Sequence, residues 1–585
     1  MKSPRLLADF FRATWHIYLF SIFFHMIANA VYVFFPKILG DFTNDLKAGE
    51  LTRELVVNYS LLLLVIGVGH ALLGGFAQYL IMYVGRLFES LVRKKLFAHF
   101  SGLSERFYSH NGVGKLLSYF MNDVTSVRES ISMGVNATAN ATMLLISTMT
   151  MMLISGIPYD LILFSVTPML LIPWIVIRFG PLIRKRSKKV QESLASMTES
   201  AEEQFGGIRV TKKFAVEPIM NERFGAATDL IRENQLSLVR VSSLFQAIIP
   251  FLGSISLIVA LAYGGYLTIN GSLAIGQFVS LTLYIRLLMT PLQQIGNVIN
   301  TMQRSRASLE RLNDLFAKKA DIVEMDGAHE VDMGKTAIQV KDLTFAYEDA
   351  KKAALRHINL HIKPGMTLGI IGRTGSGKTT LLRLLLRIYD PPRGSIVIGG
   401  MDIRDLTFES LRGQIGYVPQ DGFLFSTTIK ENIAFYDRSS SLAKVENAAK
   451  QAQIYDNIIE FPDGFETRLG ERGVTLSGGQ RQRTSLARGM IKHAPVMLLD
   501  DSVSAVDAVT ETDIIDTIRA ERAGKTTIIV AHRISAIKHA DEIIVLDEGV
   551  IVQRGTHEQL LAEQGLYATL HAIQEEGSQH GATSH

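Results

Sequence analysis

Apolar runs long enough to cross a bilayer recur through the first 300 residues or so of the chain and stop there. A transmembrane helix needs roughly 20 mostly apolar residues to span a ~30 Å hydrocarbon core, because lipid leaves an exposed backbone no hydrogen-bond partners. The spacing predicts six such helices, at approximately 13–36, 56–85, 131–159, 161–180, 241–269 and 274–300. Composition enters only through its unevenness. Hydrophobic residues make up 47% of the chain and charged residues 20%, but the remainder from about residue 337 reads as ordinary soluble α/β protein. The net charge of +4 is too small to mark a nucleic-acid surface. With no cysteine, disulfides and thiolate metal sites are excluded.

Loop charge sets an expected orientation. The segment after the second apolar run carries Arg86, Arg93, Lys94, Lys95, Arg106 and Lys115. The one after the fourth carries Arg184, Lys185, Arg186, Lys188, Lys189, Arg209, Lys212 and Lys213. Neither the loop between runs three and four nor that between five and six has any Lys or Arg. The basic segments and both termini are therefore expected in the cytoplasm, with helices two to five extended beyond the bilayer as stalks. The basic start of the chain runs into the first span with no small-residue cleavage site, which reads as a leader and not a cleaved signal. Arg286 interrupts the sixth run, where lipid exposure is costly, so it is expected to face the bundle interior, a polar cavity or the cytoplasmic end.

The third run carries Asn136, Thr138, Asn140 and Thr142, then Met143, Met149, Met151 and Met152. The polar residues read first as helix–helix packing. The methionines read equally as packing or as an adaptable wall for varied apolar ligands. The N-x-T matches at Asn136 and Asn140 fall on an apolar span and are discounted as glycosylation sites. His16, His25 and His70 also fall on spans, where a packing histidine is the plainer reading than a proton-coupling one.

In the second half, residues 367–371 (TLGII) read as a buried strand, followed by 372–379 (GRTGSGKT) and a leucine-rich helix. This is the phosphate-loop pattern in its strand–loop–helix setting. Gly372, Gly375 and Gly377 let backbone N–H groups turn onto phosphate oxygens, with Thr374, Ser376 and Thr380 in the same loop and helix start. Lys378 is placed to reach the outer phosphates and the Thr379 hydroxyl to ligate Mg²⁺. Residues 495–500 (PVMLLD) read as a second buried strand that delivers Asp500 at its C-terminal end as the Mg²⁺-side carboxylate.

Between these elements stands 476–480 (LSGGQ). With it the chain resembles the ABC transporters, and further motifs of that family follow in its order. Tyr347 stands where the family stacks an aromatic on adenine, and Gln420 (YVPQD) matches the Q-loop, a Mg²⁺ and water contact. Residues 470–473 (GERG) match the exporter X-loop, 504–507 (SAVD) the D-loop, and His532 (VAHR) the switch histidine. Segments 107–115 and 205–210 resemble exporter coupling regions. The resemblance implies an all-α six-helix transmembrane domain with long cytoplasmic extensions (1–320), a linker (321–336), an ABC-type P-loop α/β domain with a helical subdomain (337–575) and a tail (576–585). It implies ATP and Mg²⁺ as cofactors and a bacterial plasma-membrane, multi-pass setting. It also implies that Ser477, Gly478, Gly479 and Gln480 serve the ATP of a second half-transporter, not the ATP held by Lys378.

One position departs from the family. Where a glutamate usually polarises the attacking water, this chain has Asp501, shorter by one carbon–carbon bond or roughly 1.5 Å. The resemblance is thus to the degenerate-site subunit of a bacterial heterodimeric multidrug exporter, with amphipathic small molecules as cargo. A lipid or peptide exporter and an ATP-gated channel or regulatory subunit stand as alternatives. No peptidase-like segment precedes the first span, which weighs against processed peptides.

Overall fold

The computed structural model describes residues 6–348, 350–470, 473, 476–504 and 506–582. The chain divides into two compact units, Met1–Lys319 and Ala320–His585.

In the first unit the main helices are α1 (Leu6–Tyr32), α2 (Phe34–Ala48), α3 (Arg53–Ser101), α4 (Val135–Ile154), α5 (Leu171–Gly206), α6 (Glu217–Ile269) and α7 (Ile275–Ala317). Six helical stretches here are long and apolar enough to cross a membrane: Leu6–Ala48, Arg53–Ser101, Val113–Ile154, Tyr159–Gly206, Glu217–Ile269 and Ile275–Leu292. Most outrun their apolar windows. With 53 residues, α6 is about 80 Å long, far beyond the hydrocarbon core, and it runs on through Pro250.

Two spans expected as single helices are broken, both at prolines. Pro36 lacks an N–H and crowds the carbonyl four residues back, at Tyr32, so the first span splits into α1 and α2 around Val33. Pro168 likewise divides the fourth span into Tyr159–Val166, one tight turn at Thr167–Leu170, and α5. The third span begins through two wide helical turns at Tyr119–Asp123 and Ser130–Gly134.

The polar residues of α4 join helices. Asn136 bonds His25 at 2.6 Å, and Asn140 accepts from Asn29 at 2.9 Å. His70 bonds the Ala28 carbonyl and stacks on Tyr32. His16 is exposed. Met151 and Met152 are buried in the apolar core shared by α4 to α7, which favours packing over a ligand wall for that pair. Arg286 is exposed on α7 and so does not pack inside this chain's own bundle. Helices α2 and α7 approach at Gly40 and Gly276, where a Cβ on Gly276 would lie 2.0 Å from the Gly40 carbonyl oxygen. Asn44 accepts the Gly276 N–H there at 2.7 Å.

The second unit begins with β1 (Ile338–Phe345), β2 (Leu355–Ile362), β3 (Thr367–Gly372) and α8 (Lys378–Leu385). Then come β4 (Ile396–Ile398), β5 (Met401–Asp402), β6 (Ile415–Val418), α9 (Gly478–Met490) and β7 (Val496–Asp500). It ends with α10 (Ala508–Glu521), β8 (Thr526–Val530), β9 (Glu542–Asp547), β10 (Val550–Gly555), α11 (His557–Ala562) and α12 (Leu566–Ala582). Between β6 and α9, short helices Ile429–Ile433 and Leu442–Gln451 pack on α9, and Tyr455–Ile459 packs on the second of them, as a helical subdomain.

Two sheets form. The smaller is antiparallel, in the order β2-β1-β4-β5, and the larger runs β10-β9-β3-β8-β7-β6. All five residues of β7 and of β8 are buried, the continuous burial of strands covered on both faces. Each Leu or Ile so buried contributes roughly 1.5–3 kcal/mol.

Candidate functional site

Strands β3, β8, β7 and β6 are neighbours and run parallel. Their C-terminal ends therefore open on one edge of the sheet, where doubly wound folds bind ligands. Pairing of Ile370 with Val530, and of Val530 with Asp500, sets those ends level. The segments leaving them carry the phosphate loop, His532, the Asp500–Asp501 pair and Gln420.

The phosphate loop is fixed by its glycines. Gly377 has φ +99°, and a Cβ there would sit 2.6 Å from the Ala354 carbonyl oxygen, so a side chain is excluded twice over. Lys378 starts α8, and its Nζ donates to the carbonyls of Gly372 at 2.8 Å and Arg373 at 2.9 Å. The N–H groups of Gly377, Lys378, Thr379 and Thr380 have no acceptor among the described residues. Ser376 Oγ is buried without a hydrogen-bond partner among them. Unpaired donors, a buried ammonium and a helix N-terminus together fit a polyphosphate. Thr374 is exposed and Gly375, also at positive φ, lies beside it.

Thr379 Oγ1 donates to Asp500 Oδ1 at 3.1 Å, so the two expected Mg²⁺ ligands meet across the α8–β7 boundary. Asp500 is 2% exposed. Burial pushes its carboxyl pKa up; the Thr379 hydrogen bond pulls it down, and the Asp501 charge pushes it up again. Burial pushes the Lys378 ammonium down, opposed by Asp501 and then Asp500.

Asp501 takes a left-handed turn, φ +49°, directly after β7. Its N–H donates to the Val530 carbonyl at 2.8 Å, which holds this turn against β8. The carboxylate meets Gln420 Nε2 at 3.5 Å and the His532 backbone N–H at 3.4 Å, both long. Gln420 thus reaches Asp501, and no bond joins it to Thr379 or Asp500 among the described residues. Tyr347 packs edge-on against Phe345 and Tyr389, and its hydroxyl lies 3.1 Å from Thr380 Oγ1. The aromatic and the phosphate loop are therefore joined directly.

The residues 477–480 stand apart from this cluster in their bonding. Ser477 Oγ accepts the Gln480 N–H, and Gln480 Oε1 accepts the Ser477 N–H at 2.9 Å, a capping box on α9. Ser477 and Gly478 are exposed. Glu471 and Arg472 of the X-loop match, Ala505 of the D-loop match and the last three residues of the tail lie outside the described residues.

Sequence reasoning missed Gln482. This buried residue donates to the Asp501 carbonyl at 2.8 Å and so ties α9 to the turn that carries the carboxylate. Its place just after LSGGQ was visible; the target of its amide was not. Ser504 Oγ donates to the same carbonyl at 3.1 Å.

Residues 18–292 match the ABC transporter transmembrane region and residues 355–504 the ABC transporter family. The probable multidrug resistance ABC transporter ATP-binding/permease protein YheI of Bacillus subtilis is 35% identical over 561 residues, 95% of either chain. The chain belongs to the ABC transporters. This ABC transporter is also 34% identical over 499 residues to the ATP-dependent lipid A-core flippase of Syntrophus aciditrophicus, across 85% of its own length and 82% of the relative's. Its fold matches a bacterial Atm1-family ABC exporter solved with ATP bound, with TM-score 0.79 and 26% identity over 96% of this chain and 98% of that one. It is a multi-pass membrane protein of six helical spans and an ATPase-coupled exporter whose second unit binds ATP.

Proposed function

We propose that this ABC transporter is the degenerate-site subunit of a heterodimeric bacterial exporter of amphipathic drugs. Residues 1–320 form the membrane domain and 337–575 the nucleotide domain, joined by the linker 321–336. Both termini face the cytoplasm. ATP sits with its adenine on Tyr347 and its phosphates on the loop 372–380. Thr379, Asp500 and Gln420 are the residues that would hold Mg²⁺, which would supply positive charge against the outer phosphates. Thr379 and Asp500, already hydrogen-bonded, offer two adjacent oxygen donors of the kind that ion prefers.

The observation that carries the reading is the reach of Asp501. Among the described residues its carboxylate makes only long hydrogen bonds, 3.5 Å to Gln420 and 3.4 Å to the His532 N–H, and it is one bond shorter than a glutamate. A misplacement of about 1 Å at a reacting centre costs on the order of 100-fold in rate. ATP is then retained at this site and hydrolysed slowly. Ser477, Gly478, Gly479 and Gln480, exposed or half-buried at the start of α9, complete the partner's site, where turnover is fast. His532 contacts the terminal phosphate from this chain's side.

The test is ATP turnover of the chain in lipid, alone and with its partner, for the native protein and Asp501→Glu. The lone native chain is expected to turn over slowly, and the longer carboxylate to raise the rate up to about 100-fold. A lone native chain as fast as the pair sinks the degenerate-site reading. The flippase relative supports lipid as a second cargo reading. Drug-stimulated against lipid-stimulated ATPase separates the two.

A further inference from the structure

Gln574 lies on the C-terminal helix α12, 42 residues beyond His532. Its Nε2 donates to the His532 carbonyl at 2.7 Å, and its Oε1 accepts the Ile534 N–H at 2.9 Å. One primary amide thus closes on two backbone groups of the same short loop. A primary amide donates and accepts through one neutral planar group, so a single side chain serves both backbone partners. We propose that Gln574 is a positioning residue that sets His532 against the terminal phosphate of ATP. The inference rests on the reading of His532 given above.

The helix that carries the amide is itself anchored. Tyr567 is fully buried, its N–H donating to Gln553 at 2.9 Å and its hydroxyl lying 2.8 Å from His557 Nδ1. Leu570 packs on the same core. Tyr567, Leu570 and Gln574 fall at positions i, i+3 and i+7, one face of the helix, so seating buried Tyr567 and half-buried Leu570 on the core aims Gln574 at the loop. On the loop's other side, Glu511 of α10 is 3% exposed, pairs with Arg533 and accepts from Ser535 Oγ at 2.6 Å. Those bonds hold side chains on either side of Ile534. The histidine's own peptide is held by the 3.4 Å bond to Asp501 and by Gln574. The amide is thus the shorter of the two bonds that fix where the imidazole starts. Because α10 follows directly on Asp507 of the D-loop match, the loop is clamped between an element next to that motif and the end of the chain.

Positioning is read most cleanly by discrimination between nucleotides that differ only in the terminal phosphate. The experiment measures the affinities of the full-length chain in lipid nanodiscs for a non-hydrolysable ATP analogue and for ADP, with Gln574→Met, Gln574→Glu and His532→Ala alongside the native chain. Met matches the side chain's length and makes neither bond, so Gln574→Met is expected to weaken the ATP analogue about tenfold, the loss of one or two net hydrogen bonds, with ADP within twofold. Gln574→Glu keeps the acceptor for Ile534 and is expected to fall between. Equal losses for both nucleotides in both variants overturn the positioning role and leave α12 as a cover on the core. If His532→Ala loses discrimination and both Gln574 variants keep it, the inference fails and the reading of His532 stands. Unchanged discrimination in His532→Ala removes that reading itself, and with it the basis for the inference.

Discussion

The phosphate loop and the segment 477–480 are both glycine-bearing turns that open into helices, yet only the second is capped by its own side chains. In the loop, Lys378 is buried and turned onto carbonyls of its own loop, while the first N–H groups of α8 have no partner among the described residues. At 477–480 the Ser477 and Gln480 side chains each accept the other residue's backbone N–H in a capping box, and the surface lies open. One turn holds charge and donors ready inside this chain. The other caps two of its own N–H groups and offers its exposed face outward. The difference teaches that helix N-termini of similar sequence texture are assigned to a ligand by what surrounds them, not by their glycines.

The largest expected effect is on the inward-facing turn. Lys378→Ala removes a charge-assisted contact to the phosphates, worth about 1.5–3 kcal/mol per hydrogen bond, so ATP affinity is expected to drop by about 100-fold in a nucleotide-displacement titration. A drop as large at the outward turn would erase the contrast. There, Ser477→Asp keeps a good N-cap but sets a carboxylate where a partner's phosphate would arrive. It is expected to leave this chain's ATP affinity unchanged and lower the ATPase of the assembled pair by about tenfold or more. Unchanged pair ATPase would break the assignment of 477–480 to the partner.

The smallest effect is on stability, and its sign follows from burial. Asp500 has its carboxyl raised above the ordinary value, so the folded state holds that proton to higher pH than the unfolded chain. Stability from this group is therefore complete below the ordinary aspartate pKa and is lost as pH rises through the raised one. Asp500→Asn is expected to raise the melting temperature of the nucleotide-free protein at neutral pH by a few degrees, while Mg²⁺-dependent ATP binding falls. For the native protein, Mg²⁺-dependent binding is expected to fade on acidification earlier than an ordinary aspartate would dictate. A lower melting temperature for Asp500→Asn would show that the buried carboxylate stabilises the fold, against the direction given by its burial.

Much of this was legible before any coordinates. Charge-free runs announced the spans because a bilayer punishes an unpaired backbone and a bare charge along every residue of the crossing. The strand–loop–helix pattern announced the nucleotide site because local geometry makes it: Gly377 must be glycine whatever the rest of the chain does. The breaks at Pro36 and Pro168 were only half legible, since Pro250 and Pro291 also lay on predicted spans and the helices run on through both. The Gly40–Gly276 approach was not legible, since it joins residues far apart in the chain through a shared space. Neither was the setting of Arg286, whose exposure depends on which way α7 is turned in the bundle.

The sequence by itself determined where the chain enters lipid, where it can cradle phosphate, and that a shortened carboxylate follows Asp500; each is written into a short run of neighbours. Strand order decided the rest. Only the arrangement β3-β8-β7-β6 brings Lys378, His532, Asp501 and Gln420 to one edge. Only the packing of α9 and α12 brings the amides of Gln482 and Gln574 onto the backbone of that edge. Hydrogen bonds across 19 and 42 residues leave no periodic trace in a sequence, because their partners are backbone groups that every residue carries.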